Sequence, residues 1–228
     1  MIPALEESRT GASQARTATH TPKAVYLAVG LPVAVALAAA ALQPWLPATD
    51  LLRDSQDVAA RHGDSHAAYG ILSNLGAVVM ALASGAAFIG WIVLGPKTSA
   101  LRSLLGWSAL LGLALVLDDL LLLHETAAFL PGASVAIAAA YALVFFRYLV
   151  RFRTTIREQL GIGLVVVAVA ALAVSALVDV VIPPTEWSVF VEDGAKLLGV
   201  VAYAAFVMRA VLVALKPTRP HRRVVALN

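Results

Sequence analysis

The sequence predicts an all-α protein, a six-helix transmembrane bundle with both termini in the cytoplasm, and three observations predict it. Of the 228 residues 60% are hydrophobic and only 14% charged, with a mean hydropathy of +0.83, outside the range of a water-soluble domain. The apolar residues come in runs of about 20, the length that crosses a hydrocarbon core of about 30 Å. Lys and Arg are rich in every second connection and sparse in the others, as retention of positive charge in the cytoplasm requires.

Residues 1–23 are polar, contain Gly, Ser, Thr and Pro, and show no apolar periodicity; they read as a disordered cytoplasmic tail. The transmembrane domain covers 24–215. Its first span runs from Ala24 to Leu42 and stops at Gln43, Pro44 and Trp45, a helix breaker beside an interfacial aromatic. The small residues Ala38 to Ala41 resemble a signal-cleavage site, but the polar leader before the span is long and not notably basic, so an uncleaved span is expected. Further spans are read at Ala67–Leu94, Leu101–Leu123, Gly132–Val150, Leu160–Val181 and Trp187–Leu215, separated by Gly95, Pro96, Pro131, an Arg cluster, and Pro183 and Pro184. Such short connections leave no room for a soluble domain. Residues 216–228 form a basic cytoplasmic tail.

Orientation follows from the charges. Of the 17 Lys and Arg residues, all but Arg53, Arg61 and Lys196 lie in the N-terminal tail, the second-to-third loop, the fourth-to-fifth loop or the C-terminal end. Those connections are therefore cytoplasmic, and the acidic ones (Asp50, Asp54, Asp57, Asp64, Glu125, Glu186) face outward. The net charge of +3 is explained by topology, and no nucleic-acid partner is expected because no basic domain exists. Absence of cysteine excludes disulfides, thiolate metal sites and cysteine nucleophiles. Abundant Ala and a preference for Arg over Lys point to a GC-rich bacterial genome and an inner-membrane location. The lipid bilayer is the expected partner, and the Ala and Gly content leaves a homo-oligomer open.

Polar groups at membrane depth cost from about 3 to more than about 10 kcal/mol each when unpaired, which makes them functional candidates. In the third span LVLDDLLLLHE places Asp118 and Asp119 about 23 Å beyond Arg102, just inside the outer boundary, with His124 and Glu125 further out. Asp179 closes the fifth span, and the sixth opens with TEWSVFVEDGAKLLG, carrying Glu192, Asp193 and Lys196. Ser73 and Asn74 lie at comparable depth, with His62, Asp64 and His66 above. Glu192 stands four residues before Lys196, the favourable order for a helical ion pair, so these two are expected to satisfy each other. The remaining carboxylates must then be protonated, reach water or share a cation.

Four functional readings follow. The first is a divalent-metal site with ligands from Asp118, Asp119, His124, Glu125, Glu192 and Asp193, joined by His66; oxygen and imidazole donors suit Zn, Mn or Fe best, with Mg and Ca also admitted. A metal with an open position would lower the pKa of a bound water and permit hydrolysis, with Asp118, Asp119, Glu192 and Lys196 as the catalytic candidates. No HExxH or Glu-x-x-His motif is present, and the bland alternative is a set of solvated residues flanking the spans. The second is a proton- or cation-coupled transporter in which Lys196 is a charge-balancing switch, although the cytoplasmic halves of the spans are almost wholly apolar. The third, a Schiff-base lysine, is disfavoured by six spans and by a lysine near the outer end. In the fourth, a scaffold or accessory subunit, the charged cluster is a helix-helix lock.

Smaller features take structural readings. Arg209 is expected to snorkel to the inner surface. Trp91, Trp107, Phe145, Phe146 and Tyr148 read as interfacial aromatic belts. Gly161 and Gly163 lack the preceding strand of a nucleotide fingerprint.

The segments LDDLLLLHE and EDGAKLLG resemble segments of an uncharacterised family of bacterial polytopic membrane proteins, which implies the multi-span fold and no established activity. The alkaline-ceramidase-like zinc hydrolases, by contrast, hold their metal mainly by histidines. Here His124 alone lies in the cluster core, and His62 and His66 sit at a loop entry, so nothing is carried over from them.

Overall fold

A computed structural model describes residues 21–95, 99–121 and 133–216. All regular structure among them is helical: α1 (Lys23–Leu42), α2 (Ala48–Leu52), α3 (Ser55–His62), α4 (Ile71–Val93), α5 (Ser99–Leu121), α6 (Ala133–Thr155), a π turn (Ile156–Leu160), α7 (Gly163–Val181) and α8 (Glu186–Ala214). Among the described residues α1, α4, α5 from Ala100, α7 and α8 are long and apolar enough to cross a membrane. The fourth expected span falls on α6, 23 residues long with Arg147, Arg151 and Arg153 in its second half. Both expected tails lie almost wholly outside the described residues.

The long helices begin and end within a few residues of the expected spans because their breakers are local. Pro44 follows α1, Pro183 and Pro184 precede α8, and Gly161 at φ 79 turns the chain out of the π turn. The connection from Gln43 to Gly70 is more ordered than a loop. Gln43 organises the exit from α1: its side-chain oxygen accepts from the backbone N–H of Trp45 and Leu46, at 2.8 and 3.0 Å, and its amide donates to the Leu46 carbonyl. α2 and α3 follow, and α3 closes on Gly63 in the left-handed conformation, φ 71, where an L side chain would be strained.

α8 is the hub. It packs most extensively on α7 and α4, and also touches α1, α2, α5 and the π turn, while α4 pairs with α5. Its inward face carries Ala202, Phe206, Val207 and Ala210, all 0–1% exposed. Small residues set the approach: a Cβ at Gly199 would stand 2.7 Å from Leu172 Cγ and 3.2 Å from its backbone nitrogen, so α7 and α8 meet at nearly backbone distance.

One expectation about side chains fails at this level, and one side chain takes a partner the sequence did not suggest. Tyr148 belongs to the core, 2% exposed, hydrogen-bonded to Ser108 at 2.8 Å, and Phe145 beside it meets Tyr203 edge-on; the aromatic run faces the bundle as well as its boundary. Arg209, half-buried on α8, donates from Nε to the Leu160 carbonyl at 2.6 Å. The π turn frees that carbonyl from the regular α pattern, and the guanidinium supplies the missing donor.

Candidate functional site

The polar groups read from the spans gather at the end of the bundle that α2 and α3 cover. The start of α8 is set by a capping box: Thr185 Oγ1 accepts from the Ser188 backbone N–H at 3.1 Å, and Ser188 Oγ accepts from the Thr185 N–H at 2.8 Å. That pins the register of Glu192, Asp193 and Lys196 one and two turns further on.

Lys196 does not pair with Glu192. Its Nζ donates to Asp119 Oδ1 on α5 at 2.8 Å. A four-residue spacing makes a helical pair available, yet a carboxylate arriving from a neighbouring helix offers a shorter, better aligned contact in a drier place. Asp118, one residue earlier and so about 100° around the helix, is buried, 9% exposed, and acts electrostatically on Tyr141 of α6. The adjacent aspartates, grouped by sequence as joint ligands, thus leave α5 about 100° apart.

A second cation enters from the cap. Arg53, assigned by sequence to the loop, places Nε 3.9 Å from Asp193 Oδ2 and its guanidinium 3.5 Å from Asp57, which Arg61 also approaches at 3.2 Å. Lys196 is therefore not the sole counter-ion of the layer. Asp54 follows into the same place. It stands at the N-cap position of α3, but its carboxylate accepts from Ser73 Oγ of α4 at 2.8 Å instead of capping its own helix. Gln56 Nε2 donates to the Leu120 carbonyl at 3.2 Å, tying α3 to α5.

Gly70 makes this closure possible. Its φ is 64, its N–H donates to the Asp50 carbonyl at 2.8 Å, and a Cβ there would lie 2.5 Å from the Ser55 nitrogen and 2.7 Å from the Arg53 carbonyl. Only glycine lets α4 begin against the α2–α3 link. Beside it the buried Asp50 carboxylate accepts from His62 Nε2 at 2.9 Å, and the Tyr69 ring stacks on His62 with centroids 5.4 Å apart. His66 spends Nδ1 on the Ala68 N–H, 3.1 Å away. Burial, then the hydrogen bond from its hydroxyl to Asp64 and the charges of Asp64 and Asp50, hold the Tyr69 phenol above its ordinary pKa of 10.0.

The site thus comprises Asp119 and Lys196, Asp193 and Arg53, and Asp54 and Ser73, with Glu192 in electrostatic reach of Asp179, Arg53 and Lys196. His124 and Glu125 lie outside the described residues. Among those described, no three His, Asp or Glu side chains converge closely enough to hold a metal ion. Asp193 Oδ2 is buried with no hydrogen-bond partner, Arg53 standing beyond bonding distance. Below the layer, Ser84 and the hydrogen-bonded pair Ser108 and Tyr148 are set in apolar packing, and Leu104, Leu105, Leu160 and Phe206, all 0% exposed, close the interior. Sequence reasoning missed Arg53, Asp54, Asp50 and Gly70. The available signals were the prolines and acids that open α2 and α3 and the Gly63 that closes α3.

Over residues 25–210 the chain matches a family described as a domain of unknown function, DUF8692. No curated protein and no solved structure matches it.

Proposed function

The chain belongs to the DUF8692 family, and from its site we propose a six-span inner-membrane protein, both termini cytoplasmic, whose outward-facing charged layer binds a divalent cation. Five apolar helices support the membrane assignment, α6 supplies the sixth span, and the Lys and Arg distribution sets the orientation.

One observation carries the cation reading: carboxylates at the capped end outnumber cations. Asp54, Asp57, Asp118, Asp119, Asp179, Glu192 and Asp193 stand against Arg53, Arg61 and Lys196, and one buried oxygen of Asp193 lacks a hydrogen bond. A divalent ion would add charge where it is short and give that oxygen a partner. Oxygen donors from Asp118, Asp119, Glu192 and Asp193, together with His124 and Glu125 as the sequence suggests them, suit Zn, Mn or Fe. Lys196 then acts as an internal stand-in: its ammonium holds Asp119 until the ion displaces it. Closure of the interior by Leu104, Leu105, Leu160 and Phe206 favours a pocket open at one end over a continuous pathway. A bound metal would make hydrolysis chemically available, with a neighbouring carboxylate as base.

A second reading has its own observation. Lys196–Asp119 joins α8 to α5, Arg53–Asp193 joins the cap to α8, and Asp54–Ser73 joins the cap to α4. As a lock, the layer would need no ion, and the protein would be a scaffold or accessory subunit.

Elemental analysis by plasma mass spectrometry on the detergent-purified chain, wild type beside Asp119→Asn, separates the two. Near-stoichiometric metal that the variant loses is the expected result. No metal in either, with thermal stability indifferent to Zn, Mn, Fe and chelator, would leave the lock.

A further inference from the structure

At the opposite end of the bundle α6 and α7, though consecutive, do not close on one another; α6 leans on α5 and the π turn instead. Between them runs a groove of about 490 Å³, walled by α6 (Phe146, Val150), the π turn and α7 (Val166, Val169), with Arg153 and Arg157 on one wall. The volume is that of a small-ligand site. Its lining is otherwise apolar.

The two arginines are four residues apart, across the junction of α6 with the π turn, and both are exposed. Neither has a carboxylate partner among the described residues, and Glu158, next in the chain, does not line the groove. Arg151 differs: its guanidinium lies over the Phe152 ring, 5.7 Å from the centroid. Two guanidinia on an apolar slot, uncompensated among the described residues, ask for a ligand with an anionic oxygen-rich end and an apolar body. A second copy of the chain, offering an apolar helix, would fill the slot and leave both charges unanswered. A soluble phosphate would answer the charges and leave the slot open.

We propose that this groove binds an anionic phospholipid, its phosphate held by Arg153 and Arg157 and one acyl chain lying along Phe146, Val150, Val166 and Val169. Guanidinium recognises phosphate oxygens in pairs, and basic grooves between spanning helices are natural seats for acidic head groups. The inference is independent of the cation reading, since it concerns the other end of the molecule and none of the same residues.

The test is native mass spectrometry of the full chain in detergent, titrated with phosphatidylglycerol or phosphatidylcholine. Phosphatidylglycerol should bind about tenfold or more tightly than phosphatidylcholine. Arg153→Ala with Arg157→Ala should remove that preference, each charged hydrogen bond being worth about a factor of ten. Arg151→Ala should leave it intact, and Val166→Trp, which fills the slot, should weaken both lipids. All three arginines are exposed, so the substitutions leave the packing alone, and unchanged helicity by circular dichroism checks that. Equal binding of phosphatidylglycerol to wild type and the double variant would overturn the proposal. So would full displacement by inorganic phosphate with Val166→Trp without effect, which marks an anion site alone, or a dimer that Val166→Trp dissolves with no lipid retained.

Discussion

α1 and α8 are both continuous apolar helices, yet 17% of the most apolar stretch of α1 is buried in the bundle against 50% of that of α8. In water, such composition would send both to the core. In lipid it does not, because acyl chains are as apolar as leucine and burial brings no transfer energy; what separates core from periphery is closeness of packing. α8 has Gly194, Gly199, Ala202 and Ala210 where neighbours approach, and α1 turns Leu27 and Leu31 outward, more than 60% exposed. α8 also carries the charged layer. Core and site share one helix.

The largest effect should come from the hub itself. Phe206→Ala removes a side chain with no exposure and should cost roughly 2 kcal/mol, below the about 3–5 kcal/mol typical of water-soluble cores because the transfer contribution is absent. Denaturant titration in bicelles would measure it, and a loss under about 0.5 kcal/mol would deny α8 its central place.

Next is the cap, which rests on α8 through α2 and Arg53. Gly70→Ala should cost about 1–2 kcal/mol through its backbone angle and the approach to Ser55 and Arg53. Limited proteolysis should then cut between Gln43 and Gly70. A variant as resistant as wild type would mean the cap closes by other means.

A double-mutant cycle on Lys196→Met and Asp119→Asn should return a coupling of about 1 kcal/mol, modest because the side chains are 40% and 19% exposed. The corresponding cycle with Glu192→Gln should return less, since Glu192 is within electrostatic reach of Lys196 but not bonded to it. Coupling to Glu192 instead would restore the local pair that the i, i+4 spacing suggested.

The cap should also loosen at alkaline pH. Tyr69 has its pKa raised, so the folded state prefers the neutral phenol. The stability this lends is complete below about pH 10 and is lost as pH rises through the higher folded value. Tyr69→Phe should lack that step when proteolysis is followed from pH 9 to 12; an identical profile would assign the loosening to another group.

Smallest of all should be Leu31→Ala on α1, within about 0.5 kcal/mol of wild type. A loss as large as that of Phe206→Ala would erase the contrast between the two helices.

The order of the long helices, their edges and the level of Asp118, Asp119, Glu192, Asp193 and Lys196 were legible in the chain. Each depends on residues adjacent in sequence: apolar runs, the prolines beside α1 and α8, and a polar residue's distance from the nearest breaker. The LDDLLLLHE and EDGAKLLG segments likewise pointed to an uncharacterised family, which the match over residues 25–210 bears out.

What tertiary structure alone decided is who meets whom. Lys196 bonds Asp119, 77 positions away, not Glu192 one turn before it; Arg53 and Asp54 leave an apparent loop to join Asp193 and Ser73. The physical reason is the one that separates α1 from α8. Hydropathy tells a residue's depth in the bilayer but not the direction in which its helix turns it, and since lipid and protein interior are equally apolar, only close packing between helices selects the partner across the gap.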